Sequence, residues 1–157
     1  MLSVAKRGSF WTVPTAGLLA VLLVLTACGG KKAPVEANAL LGKALQALVD
    51  KDFNAFGNCL LPAQRATLGT LKERPFFEAV VGHAIDNEFD TNVTATTASV
   101  FADLYFTPDK KQFSTINWAL RQEGGRWFLD LDDTIRGEKA RNGANAFQSW
   151  IIKIQKR

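Results

Sequence analysis

The chain has 157 residues, the length of one domain. Hydrophobic residues make up 47%, too many for a disordered chain and too few for a multi-span membrane protein. The formal charge of +4, from 19 Lys and Arg against 15 Asp and Glu, falls to 17 cations against 15 acids once Lys6 and Arg7 are assigned to a cleaved leader, and that is no nucleic-acid footprint.

The leader comes first in chain order. Lys6 and Arg7 precede an apolar run from Ala16 to Leu25, and small residues separate that run from Cys28. This is the pattern of a secretory signal over residues 1–27. Thr12, Pro14 and Thr15 interrupt the sequence upstream of the run, whereas a spanning helix needs about 20 consecutive apolar positions. Leu25-Thr26-Ala27-Cys28 resembles the lipobox of bacterial prolipoproteins. The resemblance implies cleavage before Cys28, a diacylglycerol on its sulfur and, in many bacteria, a further acyl chain such as palmitate on the new amine. One chain holds a protein to a membrane only marginally, at about 0.8 kcal/mol per buried methylene, whereas two or three hold it firmly. The expected address is therefore the cell envelope, with the membrane reached through the lipid on Cys28. Gly29 stands where an Asp would imply retention in the inner membrane, which points to the outer membrane if the source is Gram-negative. Residues 28–35 read as the lipidated cysteine and a flexible tether, and residues 36–157 as a single domain. Acylation of Cys28 leaves Cys59 without a partner for a disulfide, and its neighbours Phe56, Leu60 and Leu61 predict a buried, inert thiol.

Leu40, Leu41, Ala44, Leu45, Leu48 and Val49 mark one face of a helix over about 36–50. Asp52 is placed to cap a short second helix with Phe53 and Phe56. Pro62 marks its end or the next start, and a third helix is expected over 63–72. Pro75 opens a fourth, with Phe76, Phe77, Val80, Val81 and Ala84 on one stripe. From about Phe89 the period changes to two. Residues 89–96 predict a strand with Val93 and Ala95 inward, and three more alternating runs follow. Their inward row is Val100, Ala102, Leu104, Phe106, Ile116, Trp118, Leu120, Trp127, Leu129 and Leu131. Gly124-Gly125 signals a two-residue hairpin that pairs Gln122 with Trp127, Leu120 with Leu129 and Trp118 with Leu131. The preceding hairpin must then have an odd loop. A three-residue loop at Asp109-Lys110-Lys111 pairs Leu104 with Ile116, Ala102 with Trp118 and Val100 with Leu120. A last amphipathic helix is expected to carry Phe147, Trp150, Ile151 and Ile154 on one face and Asn145, Gln148, Lys153 and Lys156 on the other.

The predicted fold class is α+β: N-terminal helices packed on a curved antiparallel sheet of about four strands, plus a C-terminal amphipathic helix. With the opening "ALLGKALQALVDKDFNAF" and the closing hairpin "INWALRQEGGRWFLDL", the arrangement resembles the nuclear transport factor 2-like superfamily over about residues 39–131. The resemblance implies a cone of helices and curved sheet. Its members include isomerases, dehydratases, hydrolases, binding modules and lipoproteins, so it does not select an activity. Many members end near the last strand, whereas this chain adds about 25 residues.

An enzyme of that superfamily places a carboxylate or a His-Asp pair inside the cone, and the inward row above contains neither. His83, the single histidine, has Asp86 at i+3 on the expected fourth helix, and Asp103 with Tyr105 share an outward face at i and i+2. One histidine and no Cys-x-x-Cys exclude a standard zinc site. Asp103, Asp130 and Asp132 around Asn117 are a weaker candidate for a hard cation. Residues from Thr134 onward carry a net +5 and residues 86–133 a net −5, which suggests a basic tail docked on an acidic sheet face. Phe101, Tyr105, Phe113 and Phe128 are outward aromatics that something must cover, the terminal helix or a second copy of the chain. The reading is a non-catalytic lipoprotein binding an apolar small molecule or an envelope protein, with no cofactor, metal or nucleic acid. The competing readings are a small isomerase or hydrolase using His83 or Asp103, and a membrane-surface scaffold.

Overall fold

The computed structural model describes residues 34–86 and 93–147. The signal segment, the lipobox residues Leu25, Thr26, Ala27 and Cys28, part of the strand expected over 89–96 and most of the expected terminal helix lie outside the described residues. What is described is an α+β domain: helices against a curled four-stranded antiparallel sheet whose strands lie side by side in chain order.

The first helix, α1 (Val35–Val49), buries Ala37, Leu41, Ala44, Leu45, Ala47 and Leu48, the face that the apolar spacing marks. Lys51, with φ +60°, turns the chain after it. The lysine Nζ donates to the carbonyls of Glu78, at 2.7 Å, and Val80, tying the end of α1 to the chain around residues 78–80. The Asp52 carboxylate accepts from Ala55 N at 2.8 Å and caps α2 (Phe53–Cys59) as expected.

Downstream the helical expectations need correction. Residues Pro62–Thr70 form a 3₁₀ helix. The Thr67 and Thr70 hydroxyls donate to carbonyls three residues back, Gln64 O at 2.8 Å and Thr67 O at 3.1 Å, so these side chains engage backbone groups within the tighter turns. The fourth helix, α3 (Arg74–Glu78), is only five residues long. Ala79 ends that helix and the chain passes through Val80 and Val81 into β1 (Gly82–Asp86), so Ala84 and His83 lie on a strand. That strand occupies the sheet position expected for residues 89–96, of which the described part, 93–96, is not strand.

In β2 (Thr97–Tyr105) and β3 (Phe113–Glu123) burial alternates with the predicted phase. Their register differs. Val100 pairs with Trp118, Ala102 with Ile116 and Leu104 with Ser114, a shift of two residues from the expected pairing. The loop is odd but has five residues, closed by Phe106 N donating to Gln112 O at 2.9 Å. Pro108 sits at the second position of a turn in which Lys110 N donates to Thr107 O at 3.0 Å. Lys110, at φ +57°, leads out of that turn. The next hairpin matches its sequence signal. Gly124 and Gly125 have φ +56° and +77°, and Leu120–Leu129 and Gln122–Trp127 pair across it. The last strand, β4 (Arg126–Leu129), stops before Leu131, which is helical, so Trp118 and Leu131 do not pair.

The reason is α4 (Leu131–Asn142), which the apolar pattern does not announce. Where β4 ends, the edge of β3 loses its strand partner, and α4 supplies replacements. The Thr134 hydroxyl accepts from Ala119 N at 3.0 Å, the Glu138 carboxylate accepts from Asn117 N at 2.9 Å, and Asp130 N donates to Ala119 O at 2.9 Å. A helix thus covers a sheet edge with its polar side chains. Between helices and sheet lies an apolar core containing Trp118, Phe56, Phe76, Phe77 and Phe147. Phe76 meets Phe77, Phe106 and Phe147 edge-on, with ring centroids 5.4, 5.1 and 5.0 Å apart.

Candidate functional site

Antiparallel pairing decides which face each candidate residue occupies, because directly opposed residues project to the same side. His83 pairs with Leu104 and Ile85 with Ala102, both of which belong to the buried row. His83 therefore lies on the concave face, toward the core. Asp86 pairs with Phe101 on the convex face. The expected helical dyad does not exist: at i and i+3 on a strand the imidazole and the carboxylate project to opposite sides. The His83 Nδ1 is buried with no hydrogen-bond partner, and burial pushes the imidazole pKa down from its ordinary value, so the neutral ring is favoured.

The convex face carries the other candidates. Gly82, Tyr105 and Phe113 form one cross-strand row; Ala84, Asp103 and Thr115 the next; and Asp86, Phe101 and Asn117 the third. Tyr105 and Phe113 rings are 6.4 Å apart, and Lys110 Nζ sits 5.3 Å from the Tyr105 ring centroid. A Cβ at Gly82 would meet the Tyr105 ring at 3.5 Å, an ordinary van der Waals contact. Phe113 is 46% exposed and Val81 42%, while Phe101 and Tyr105 are half-buried. Tyr105 and Phe113 make an apolar patch at one end of the sheet, and Phe101 lies two rows away, beyond Asp103. Asp103 does not act as a partner for Tyr105; its carboxylate accepts from the Thr115 hydroxyl at 2.6 Å.

Phe128 does not belong to the patch. It is only 7% exposed, with the guanidinium groups of Arg65 and Arg126 at 5.9 and 5.7 Å from its ring centroid. Arginine stems and planes cover an outward aromatic that alternation alone left open.

The carboxylates expected near Asn117 do not gather either. Asp130 is buried as the cap of α4, where Oδ1 accepts from Asp133 N at 3.1 Å and Gln64 Nε2 at 2.8 Å, and Oδ2 lies 2.7 Å from Arg121. Gln64 Oε1 in turn accepts from Leu131 N at 2.8 Å. Asp132 is exposed, and among the described residues no group of three His, Cys, Asp or Glu could hold a metal. The basic-tail expectation also changes. Arg136 pairs with Asp133 and Arg141 with Glu138, both within α4, while Lys139 pairs with Glu73 from the helical side. The sheet contributes the cation instead, as Arg121 meets Asp130 and Asp133.

Cys59 is buried as expected, with its thiol 3.5 Å from Ala55 O, and burial pushes its pKa up. Phe147 is buried in the core, and the remainder of the expected terminal face lies outside the described residues. Trp127 is only half-buried; it lines a cleft of about 700 Å³ between the start of α1 and the tip of the β3–β4 hairpin, a surface the sequence reading did not single out. Pro34, Leu40, Lys43 and Arg126 also line it. Its one legible signal is the approach of the expected tether to that end of the chain.

No family model matches the chain, and no curated protein matches it in sequence. Three solved structures are similar to it. A SEC-C motif containing protein from Rhodopseudomonas palustris is 15% identical, with a TM-score of 0.41 over 60% of this chain and 85% of its own. A protein of unknown function from Mycobacterium tuberculosis is 13% identical, with a TM-score of 0.43 over 76% of this chain and 86% of its own. A protein from Kribbella flavida is 18% identical, with a TM-score of 0.40 over 69% of this chain and 98% of its own.

Proposed function

We propose that this chain is a lipid-anchored protein of the cell envelope whose nuclear transport factor 2-like domain is a non-catalytic module that binds a ligand or partner protein. The single observation that carries the anchor is Leu25-Thr26-Ala27-Cys28 at the end of a ten-residue apolar run behind Lys6 and Arg7. The binding role rests on the convex pair of Tyr105 and Phe113, with Phe113 exposed, beside an interior filled with Trp118 and phenylalanines. An apolar partner surface, including a second copy of the chain, is the complementary chemistry.

Two measurements test the reading. Radiolabelled palmitate should enter the wild-type protein, and Cys28→Ser should abolish both labelling and membrane fractionation; an unlabelled wild type refutes the anchor. The variant Phe113→Asp should change the sedimentation or the ligand content of the native protein. Identical behaviour of variant and wild type refutes the patch as the binding surface.

A second reading has one observation in its favour, the concave His83 with a buried, unpartnered Nδ1 and a pKa shifted down toward the neutral base. Under that reading the protein is a small enzyme in which His83 takes a proton from an apolar substrate. Loss of turnover in His83→Gln with the fold retained would support it, once a candidate substrate is found by its presence in the purified protein.

A further inference from the structure

The cleft lined by Trp127, Leu40, Lys43 and Arg126 opens beside Pro34, which also lines it. Pro34 stands six positions after Cys28. Fully extended, six residues reach about 20 Å, so an acyl chain on Cys28 holds this end of the domain within about 20 Å of the bilayer. The same end presents Val35, 81% exposed and the barest large hydrophobic side chain among the described residues. Lys43 and Arg126 are exposed, and neither is in an ion pair among the described residues, although the Arg126 guanidinium also lies over the Phe128 ring. Glu36 is the one acid lining the cleft, and Lys31 and Lys32 lie in the tether itself. Cations without a carboxylate partner, an exposed valine and a half-buried tryptophan at the tethered end are the composition of a surface that rests on anionic headgroups.

We infer that the face formed by the start of α1 and the tip of the β3–β4 hairpin docks on an anionic phospholipid surface, orienting the domain so that its convex patch is carried clear of the membrane anchor. This rests on the lipid anchor proposed above. Each cation near such a surface favours docking about fivefold, so Lys43 and Arg126 together contribute about 30-fold to the docked population. Trp127 and Leu40 need only reach the headgroup level, which matches their partial burial.

Amide hydrogen exchange of the lipidated protein on vesicles tests the inference, with and without phosphatidylglycerol in phosphatidylcholine. Residues 35–43 and 122–127 should exchange more slowly only when phosphatidylglycerol is present, and Lys43→Gln with Arg126→Gln should abolish the difference while leaving the acyl mass unchanged. No slowing there, or slowing confined to another face, overturns the inference. Intact mass of protein extracted from membranes reports separately on the anchor. If that mass shows no acyl chain, the anchor reading fails, and coupling Cys28 to a maleimide phospholipid still decides whether this face docks. Protection of the coupled chain at 35–43 and 122–127 would support the docking face, and its absence would overturn it.

Discussion

Two aspartates cap helices in this fold, and their surroundings predict very different costs when each is replaced by alanine. Asp52 is exposed and accepts one amide, that of Ala55, so Asp52→Ala should cost about 1 kcal/mol. Asp130 is 4% exposed and holds three elements together: its carboxylate accepts from Asp133 N in α4, from Gln64 Nε2 in the 3₁₀ helix, and faces Arg121 in β3. Its removal takes away a cap worth about 1 kcal/mol and leaves the buried Gln64 amide without an acceptor, which costs a further 1–3 kcal/mol or so. The Arg121 pair adds little, about 0–1 kcal/mol, because that side chain is 45% exposed and keeps Asp133 as a partner. The expectation is a loss of about 3–4 kcal/mol for Asp130→Ala, three times the loss for Asp52→Ala. Asp130→Asn, which keeps an acceptor for the cap and for Gln64, should cost about 1 kcal/mol. Denaturant unfolding followed by tryptophan fluorescence measures all three. Equal losses for Asp52→Ala and Asp130→Ala would refute the claim that Asp130 joins the 3₁₀ helix, α4 and β3. So would additive losses for Asp130→Ala and Gln64→Ala, since residues sharing a buried bond should be coupled by more than about 0.5 kcal/mol.

Burial lowers the His83 pKa, so the unfolded chain takes up a proton near pH 6.5 while the folded chain does so only at lower pH. Stability is therefore greatest above pH 6.5 and declines as the pH drops through that value toward the folded pKa; His83→Asn should flatten that segment of a stability–pH profile, and an unchanged slope would contradict the placement of the ring. Cys59 should react with a maleimide at pH 8 far more slowly in the native than in the denatured protein, because its thiol is buried and its pKa raised; equal rates would show that the thiol is open to solvent. The two outward phenylalanines should separate: Phe113→Ser changes stability by less than about 0.5 kcal/mol, whereas Phe128→Ser costs about 2–4 kcal/mol, as thermal unfolding of the two variants will reveal.

Most of the concave face is legible in the sequence alone. Ala102, Leu104, Ile116, Trp118 and Leu120 are buried because period-two alternation fixes which face a residue takes. Alternation cannot fix the partner. A two-residue slip leaves every side chain on its own face, so the choice between Ala102 and Val100 opposite Trp118 fell to the loop, which runs over the five residues 107–111, with Pro108 and a left-handed Lys110, instead of three. His83 was misplaced because Phe76, Phe77, Val80 and Val81 continue a helical stripe up to Gly82. Whether the backbone extends there is decided by the unpaired edge of β2, which β1 fills.

The residues themselves determined the Asp52 cap, the buried face of α1 and the Gly124-Gly125 hairpin, since each is a local event settled within a few positions by one hydrogen-bonding side chain, one helical stripe or one pair of positive φ angles. Only the tertiary structure decided α4 and the cover over Phe128. Thr134 and Glu138 earn their places by bonding amides of β3, and Arg65 and Arg126, more than sixty positions apart, meet over one ring. Polar side chains that serve a distant strand leave no periodic trace in their own segment, because the groups they satisfy become neighbours only when the sheet has formed.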